Sequence, residues 1–120
     1  MHKLQLKRIY DPVAVDDGAR VLTDRLWPRG VRKEDARLTL WCKDIAPSTA
    51  LRQWFNHDAE RWKEFQLRYR GELDQNAEAV ECILGLLRKQ TVTLLISARD
   101  PEHNHGRVLI DYLQRARRQT

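Results

Sequence analysis

The spacing of apolar and polar positions changes several times along the chain, and each change predicts an element. From Thr91 to Ile96 the residues are β-branched or apolar with almost no alternation. That pattern predicts a strand covered on both faces, as in a parallel sheet. Beyond it, Val108, Leu109, Tyr112, Leu113 and Ala116 mark one face of a helix. Asp100 is placed to cap that helix, Pro101 to take its first position, and Glu102 to favour the positive end of its dipole. A buried strand thus runs into a helix start carrying His103, Asn104 and His105. In open α/β folds, ligands sit beyond the carboxyl ends of the strands, and exposed N–H groups there favour anions.

Earlier in the chain, Leu4–Tyr10 alternates as a strand, and Asp11-Pro12 ends it. Ala19–Leu26 predicts a second strand after the Asp16-Asp17-Gly18 turn. The link between them, about eight residues, is too short for a helical crossover, so the pair forms either a hairpin or an irregular crossover. Trp27-Pro28-Arg29-Gly30 breaks the second strand, and Val31–Ala36 fits one helical turn. Leu38–Ile45 reads as a third strand with Leu38, Leu40 and Cys42 on one face and Trp41 opposite. Ser48 then caps a helix striped by Leu51, Trp54 and Phe55, and Asp58 caps the next. Trp62, Phe65, Tyr69 and Leu73 keep helical spacing, which Gly71 weakens only slightly. A break near Gln75-Asn76 precedes a last mid-chain helix built on Ala79, Val80, Ile83, Leu84, Leu86 and Leu87 and ending in Arg88-Lys89. The sum is an α/β fold: one domain over residues 1–120, with a mainly parallel sheet of three or four strands packed with helices.

Composition narrows the setting. No apolar run approaches the roughly 18 residues of a membrane helix, and Met1–Arg8 lacks a signal core. The expected location is cytoplasmic, with no membrane partner. Cys42 and Cys82 form no Cys-x-x-Cys pair, and both are expected to act as small core hydrophobes. The net charge of +5 permits an anionic partner. Its excess lies in Arg20, Arg25, Arg29, Arg32 and Lys33, set against Asp24 alone, and in Arg115, Arg117 and Arg118.

Three constellations carry candidate chemistry. Ser97 with His103 and His105 offers a nucleophile and a base, although no Gly-x-Ser-x-Gly elbow surrounds the serine. His103-x-His105 matches no zinc spacing, and no metal site is expected. The segment Asp24-Arg25-Leu26-Trp27-Pro28-Arg29-Gly30 sets two arginine forks and a stacking surface at a strand end. Its simpler use is an ion pair of Asp24 with Arg8 or Arg20 that holds the strands. There is no Gly-x-Gly-x-x-Gly and no Walker loop, so no nucleotide cofactor cradle is implied.

Four blocks resemble the DUF488 family, and within it the short YeaO-like branch of bacterial proteins. They are Lys7–Pro12, Asp17–Gly30 with its Asp-Arg-Leu-Trp-Pro-Arg-Gly, Ala46–Arg52, and Leu94–Arg99 followed by Asn104-His105. The resemblance implies a small cytosolic α/β protein and brings no established reaction. Longer members carry a cysteine after the last strand's leucines and a Cys-His pair at the following helix. This chain has Ile96 and Asn104 at those positions, so thiol chemistry does not carry over. A polar cluster remains at the strand ends.

The leading expectation is a small anionic ligand, phosphate- or nucleotide-like, bound at the strand ends by Arg8, Tyr10, Arg25, Trp27, Arg29 and Asn104. If the protein is an enzyme, His105, Ser97 and Asp24 would do the chemistry, with His105 as general acid or base. A nucleic-acid module using the Arg20–Lys33 segment is the second expectation, and a non-catalytic protein-interaction module built on exposed tryptophans is the third.

Overall fold

The computed structural model describes residues 2–119; Met1, which belongs to the expected N-terminal segment, lies outside them. Four strands form one parallel sheet: β1 (Leu4–Arg8), β2 (Ala19–Leu22), β3 (Leu40–Trp41) and β4 (Val92–Ile96), in the spatial order β1-β4-β2-β3. Five helices complete the fold: α1 (Lys33–Ala36), α2 (Thr49–Phe55), α3 (Trp62–Asp74), α4 (Ala77–Lys89) and α5 (His105–Arg118). The fold is α/β, as the residue pattern predicts.

β4 is central because it is the most continuously apolar strand. All five of its residues are buried. It pairs with β1 from Leu4↔Val92 to Arg8↔Ile96 and with β2 from Ala19↔Val92 to Leu22↔Leu95. β1 and β2 are therefore not a hairpin. β4 lies between them, and residues 9–18 make an irregular crossover that contains a 3-10 turn, Val15–Asp17.

The two sheet faces differ, as strand alternation requires. Leu4, Leu6, Ala19, Val21, Val92 and Leu94 face α2–α5 and form the main core with Ile45, Phe65, Tyr69, Ile83 and Leu109. The second face holds a smaller cluster of Ile9, Leu22, Leu95 and Ala36, flanked by Trp27, Val31, Leu38 and Trp41. The rest of that face is polar. Asp17 bonds Lys7 at 2.9 Å and Arg20 at 2.6 Å, and its carbonyl accepts the Thr93 hydroxyl. This network, the loops and the single-turn α1 cover the face where a doubly wound fold would lay long helices.

Gly18 makes the crossover possible. Its φ is +64°, and an added Cβ would lie 2.1 Å from the Thr91 carbonyl oxygen. Gly106 lets α5 lie close on the sheet, since a Cβ there would meet Leu6 at 2.7 Å and Ile96 at 3.0 Å.

Several expected boundaries move. β1 stops at Arg8 because the Asp11 carboxylate accepts the Arg8 N–H. β2 stops at Leu22, since Thr23 and Asp24 turn their polar groups onto the end of β4. The third strand shrinks to two residues, after which Lys43–Ile45 winds into a 3-10 turn. Leu38 leaves the face of Leu40 and Cys42 and joins Trp41 in the smaller cluster. Asp24 pairs with neither Arg8 nor Arg20: Arg20 is held by Asp17, while the Arg8 guanidinium donates to the Ser97 and Ala98 carbonyls. Cys82 is exposed on α4 rather than in the core, whereas half-buried Cys42 packs against it.

The expected cap of the last helix also shifts. Asp100 accepts the N–H groups of Glu102 and His103, but this makes only a turn. The helix begins at His105, and Asn104 caps it by accepting the Arg107 N–H at 3.0 Å.

Candidate functional site

β2 is followed by a connection carrying α1 on the second face, and β4 by α5 on the main-core face. Adjacent strands whose connections leave to opposite faces define the crevice where open α/β sheets bind ligands. Here that crevice lies between Thr23-Asp24 and Ser97, with the first residue of α5 above it.

The crevice is filled by the protein's own groups. One Asp24 carboxylate oxygen accepts the Ser97 N–H at 3.0 Å. The other lies 3.5 Å from His105 Nε2. The same nitrogen is 3.1 Å from the Thr23 carbonyl oxygen and 3.2 Å from the Thr23 hydroxyl, which itself donates to the Leu95 carbonyl. Nε2 therefore faces acceptors, so it carries the proton, and Nδ1 keeps the lone pair. The His105 side chain is 14% exposed and that of Asp24 12%. Burial pulls the His105 pKa down against the opposing pull of Asp24 and the Thr23 carbonyl, and Arg52 lowers it further. The imidazole rests neutral, its ring edge-on to Tyr69 at 6.1 Å.

The residues expected to form one ligand patch divide into three groups. Asp24, Ser97 and His105 meet in the filled crevice. Arg8 and Tyr10 stand at the end of β1. The Arg8 guanidinium lies over the Tyr10 ring, and the Tyr10 hydroxyl donates to the Arg29 carbonyl, which leaves the Arg29 side chain exposed. Trp27 braces the second face, edge-on to Trp41, with its N–H on the Val31 carbonyl. Trp41 likewise donates to the Asp24 carbonyl and carries Lys43 on its ring. Asn104 is buried as a cap, its amide donating to the Asp100 carbonyl. His103 bonds Asp100 and lies edge-on to Trp62, apart from His105. The N–H groups of Glu102 and His103, with the His103 ring, hold the Asp100 carboxyl down at about 2. No group of three or more His, Cys, Asp or Glu able to hold a metal occurs among the described residues.

Arg25 leads elsewhere. It crosses to the segment before α2, where its Nη2 donates to the Ala46 carbonyl at 3.1 Å and its Nε to the Pro47 carbonyl at 3.4 Å. These bonds set Arg25 in the wall of an open cleft of about 740 Å³ at the carboxyl ends of β2 and β3. Such a volume suits a small molecule. Ile45, Ala46, Leu51, Tyr69 and Leu73 stand behind its wall, themselves almost wholly buried, while Asp44, Arg68 and Glu72 join Arg25 as its charged lining.

The frame of the cleft is rigid. Both oxygens of Glu72 are taken by Ser48, one by its N–H at 2.8 Å and one by its hydroxyl at 2.6 Å. Ser48 caps α2 through Leu51, and Tyr69 donates to the Ile45 carbonyl. Gly71 lines the cleft with open space where a side chain would stand.

Of these, the sequence reading reaches only Arg25 as a ligand residue. A glycine inside an otherwise regular amphipathic helix is the one signal that could have drawn attention to α3. The Ser48–Glu72 bond spans 24 residues and leaves no local pattern.

A family model described as the inactive DUF488-N3 subclade matches residues 3–120. The chain belongs to the DUF488 family. This DUF488 protein is 42% identical over 111 residues to the uncharacterized protein YeaO of Escherichia coli K12, covering 92% of this chain and 96% of that one. It is 41% identical over 111 residues to uncharacterized proteins of Mycobacterium tuberculosis H37Rv and Mycobacterium bovis, covering 92% of this chain and 93% of each. No solved structure matches it.

Proposed function

We propose that this DUF488 protein binds a small anionic ligand, carboxylate-, phosphate- or nucleotide-like, in the cleft at the carboxyl ends of β2 and β3, and does so in the cytoplasm without turning the ligand over. The observation that carries this reading is Arg25. Its Nε and Nη2 each make one backbone bond at the wall of the cleft, so the remaining N–H groups of a pre-set guanidinium fork are left to meet an oxyanion.

The absence of turnover is supported by the filled crevice. His105 is neutral, and its N–H is committed to Thr23. The subclade's description as inactive points the same way. Two free cysteines and a helix set that contains no membrane-spanning candidate among the described residues fit a cytoplasmic setting.

The basic segment does not favour nucleic acid. Arg20 is buried on Asp17, and Arg32 pairs with Asp35 at 2.9 Å. In the tail, Arg115 pairs with Asp111, and Arg117 donates to the His2 carbonyl. Several of the arginines that would contact phosphates are thus spent within the protein.

The test uses Gly71. Nothing lies within 4 Å of a Cβ placed there, so Gly71→Leu fills the cleft from a helix that gains about 0.5–1 kcal/mol in propensity. In a thermal-shift screen of small anions, the wild type should shift with at least one. Gly71→Leu should melt no lower than wild type and show no shift. Shifts that persist in Gly71→Leu, or none in the wild type, would overturn the reading.

A further inference from the structure

We infer that two copies of this chain join through the outer edge of β1, with Leu4 of each strand opposite Leu6 of the other, so that their sheets run on as one. This surface lies apart from the cleft and does not depend on it.

β1 and β3 are the two edges of the sheet. β3 is guarded by its length, since it has only two residues. β1 has five. Its odd-numbered residues turn their backbone groups toward β4: Val92 donates to the Lys3 carbonyl, and Ile9 donates to the Ile96 carbonyl. Leu4, Leu6 and Arg8 therefore point theirs outward. Asp11 closes Arg8, because its carboxylate accepts the Arg8 N–H and its own N–H donates to the Arg8 carbonyl. At the other end, Arg117 donates to the His2 carbonyl. What stays open is the N–H and the carbonyl of Leu4 and of Leu6, which bond no other described residue.

This edge is complementary to itself. A two-fold axis at Gln5 sets two β1 strands antiparallel, and Leu4 of each copy exchanges both bonds with Leu6 of the other. Every open group is then used. A register shifted by two residues either way sets an open leucine against closed His2 or closed Arg8. In the matched register the closed positions face each other. Arg8 with acidic Asp11 falls opposite His2 with Arg117, next to Lys3, so the ends agree in charge. Lys7, the residue that would guard such an edge, falls opposite Lys3 but is turned onto Asp17 at 2.9 Å. A strand from an unrelated protein would supply the backbone groups without the matching ends.

Apolar groups flank the open stretch. On the second face, Gln5 donates to the Asp16 carbonyl and Lys7 to the Pro12 carbonyl, which holds the crossover beside β1. That crossover leaves Val13 47% exposed and Val15 fully exposed. On the main-core face, Leu6 is half-buried. So is Ile110, in the stripe of α5 that sets Gly106 against Leu6 and Arg117 against His2.

Sedimentation of the full chain from about 10 µM to about 1 mM should show a dimer growing with concentration. Over the same range, amide exchange at Leu4 and Leu6 should slow about tenfold or more. Both are read on the unmutated chain. Cross-linking tests the register. Gln5 meets Gln5 of the second copy with Cα atoms about 4.5 Å apart in such a pair, within disulfide reach. In a Cys82→Ser background, which removes the exposed native thiol, Gln5→Cys should form a disulfide-linked dimer under mild oxidation and Lys3→Cys should not. A protein that stays monomeric at the highest concentration, with Leu4 and Leu6 exchanging freely, overturns the inference and leaves the edge to a strand of another protein. A dimer in which those amides stay unprotected, or in which Lys3→Cys cross-links as readily as Gln5→Cys, overturns it as well.

Discussion

His105 shows how one side chain can close a site that topology opens. It stands where a βα crevice would receive a ligand, yet its Nε2 proton is spent on Thr23 and its ring is buried against Tyr69. Charging it means adding a proton at Nδ1 of a buried ring at a helix start, where the dipole opposes it. Burial therefore lowers its pKa from the ordinary 6.5, with Asp24 opposing and Arg52 adding to the effect. A histidine with a depressed native pKa is protonated first in the unfolded chain, so its stabilising effect is complete above about pH 6.5 and declines as pH falls toward the lowered native value. Urea denaturation at pH 7.5, 6.5 and 5.5 should show the wild-type midpoint dropping across that interval. His105→Gln, which keeps an N–H donor but does not titrate, should drop less. Parallel pH dependence in the two proteins would mean that His105 does not titrate differently on folding.

Elements are built by contacts that the chain pattern announces unevenly, and α5 shows this best. Asp100-Pro101 has the composition of a helix start, but Asn104 does the capping. Asn104→Ala should cost about 1 kcal/mol and at most about 2, because it orphans the Arg107 N–H and also removes a donor to the Asp100 carbonyl. Asp100→Ala, confined to an exposed turn, should cost less in the same denaturation measurement. The reverse order would restore Asp100 as the cap. Other features were plainer. Thr91–Ile96 announces a strand buried on both faces because it has no polar alternation, and Trp62, Phe65, Tyr69 and Leu73 announce α3 by spacing. Ser48 and the break at Gln75-Asn76 also stand where the pattern puts them. Strand ends were not legible, since β1 and β2 are cut short by side chains of Asp11, Thr23 and Asp24 bonding to backbone, two of them across some 70 residues of sequence. The site was half legible for the same reason. The pattern places Asp24, Ser97 and His105 near one another at strand ends, but the cleft depends on Arg25 reaching Ala46 and on Glu72 reaching Ser48.

At the scale of the whole molecule, the unusual feature is a parallel sheet whose second face is covered by loops and the single-turn α1 around a small apolar cluster and a polar network. The short crossover from β1 to β2 leaves no room for a helix. Its last turn instead drops Asp17 between Lys7 and Arg20, side chains that a helix-covered sheet would replace with apolar ones. Burial would raise the Asp17 pKa, but the Ala14 N–H, Lys7 and Arg20 outweigh it and hold the carboxyl below the ordinary 3.8. Its stabilising effect is therefore present above about pH 3.8 and lost as pH falls through the lowered value, which makes this network a contributor to acid unfolding. Asp17→Leu should cost on the order of 3–5 kcal/mol at neutral pH, because it strands the Arg20 guanidinium, whose side chain is 4% exposed. The half-exposed Lys7 can turn to water and adds less. Adding Arg20→Met to Asp17→Leu should recover part of the loss, since an uncompensated buried charge, not the missing pair, is what destabilises. If the double variant instead unfolds more easily than Asp17→Leu alone, Arg20 holds the second face through its bond to the Ala36 carbonyl, and packing of α1 rather than charge balance keeps that face closed.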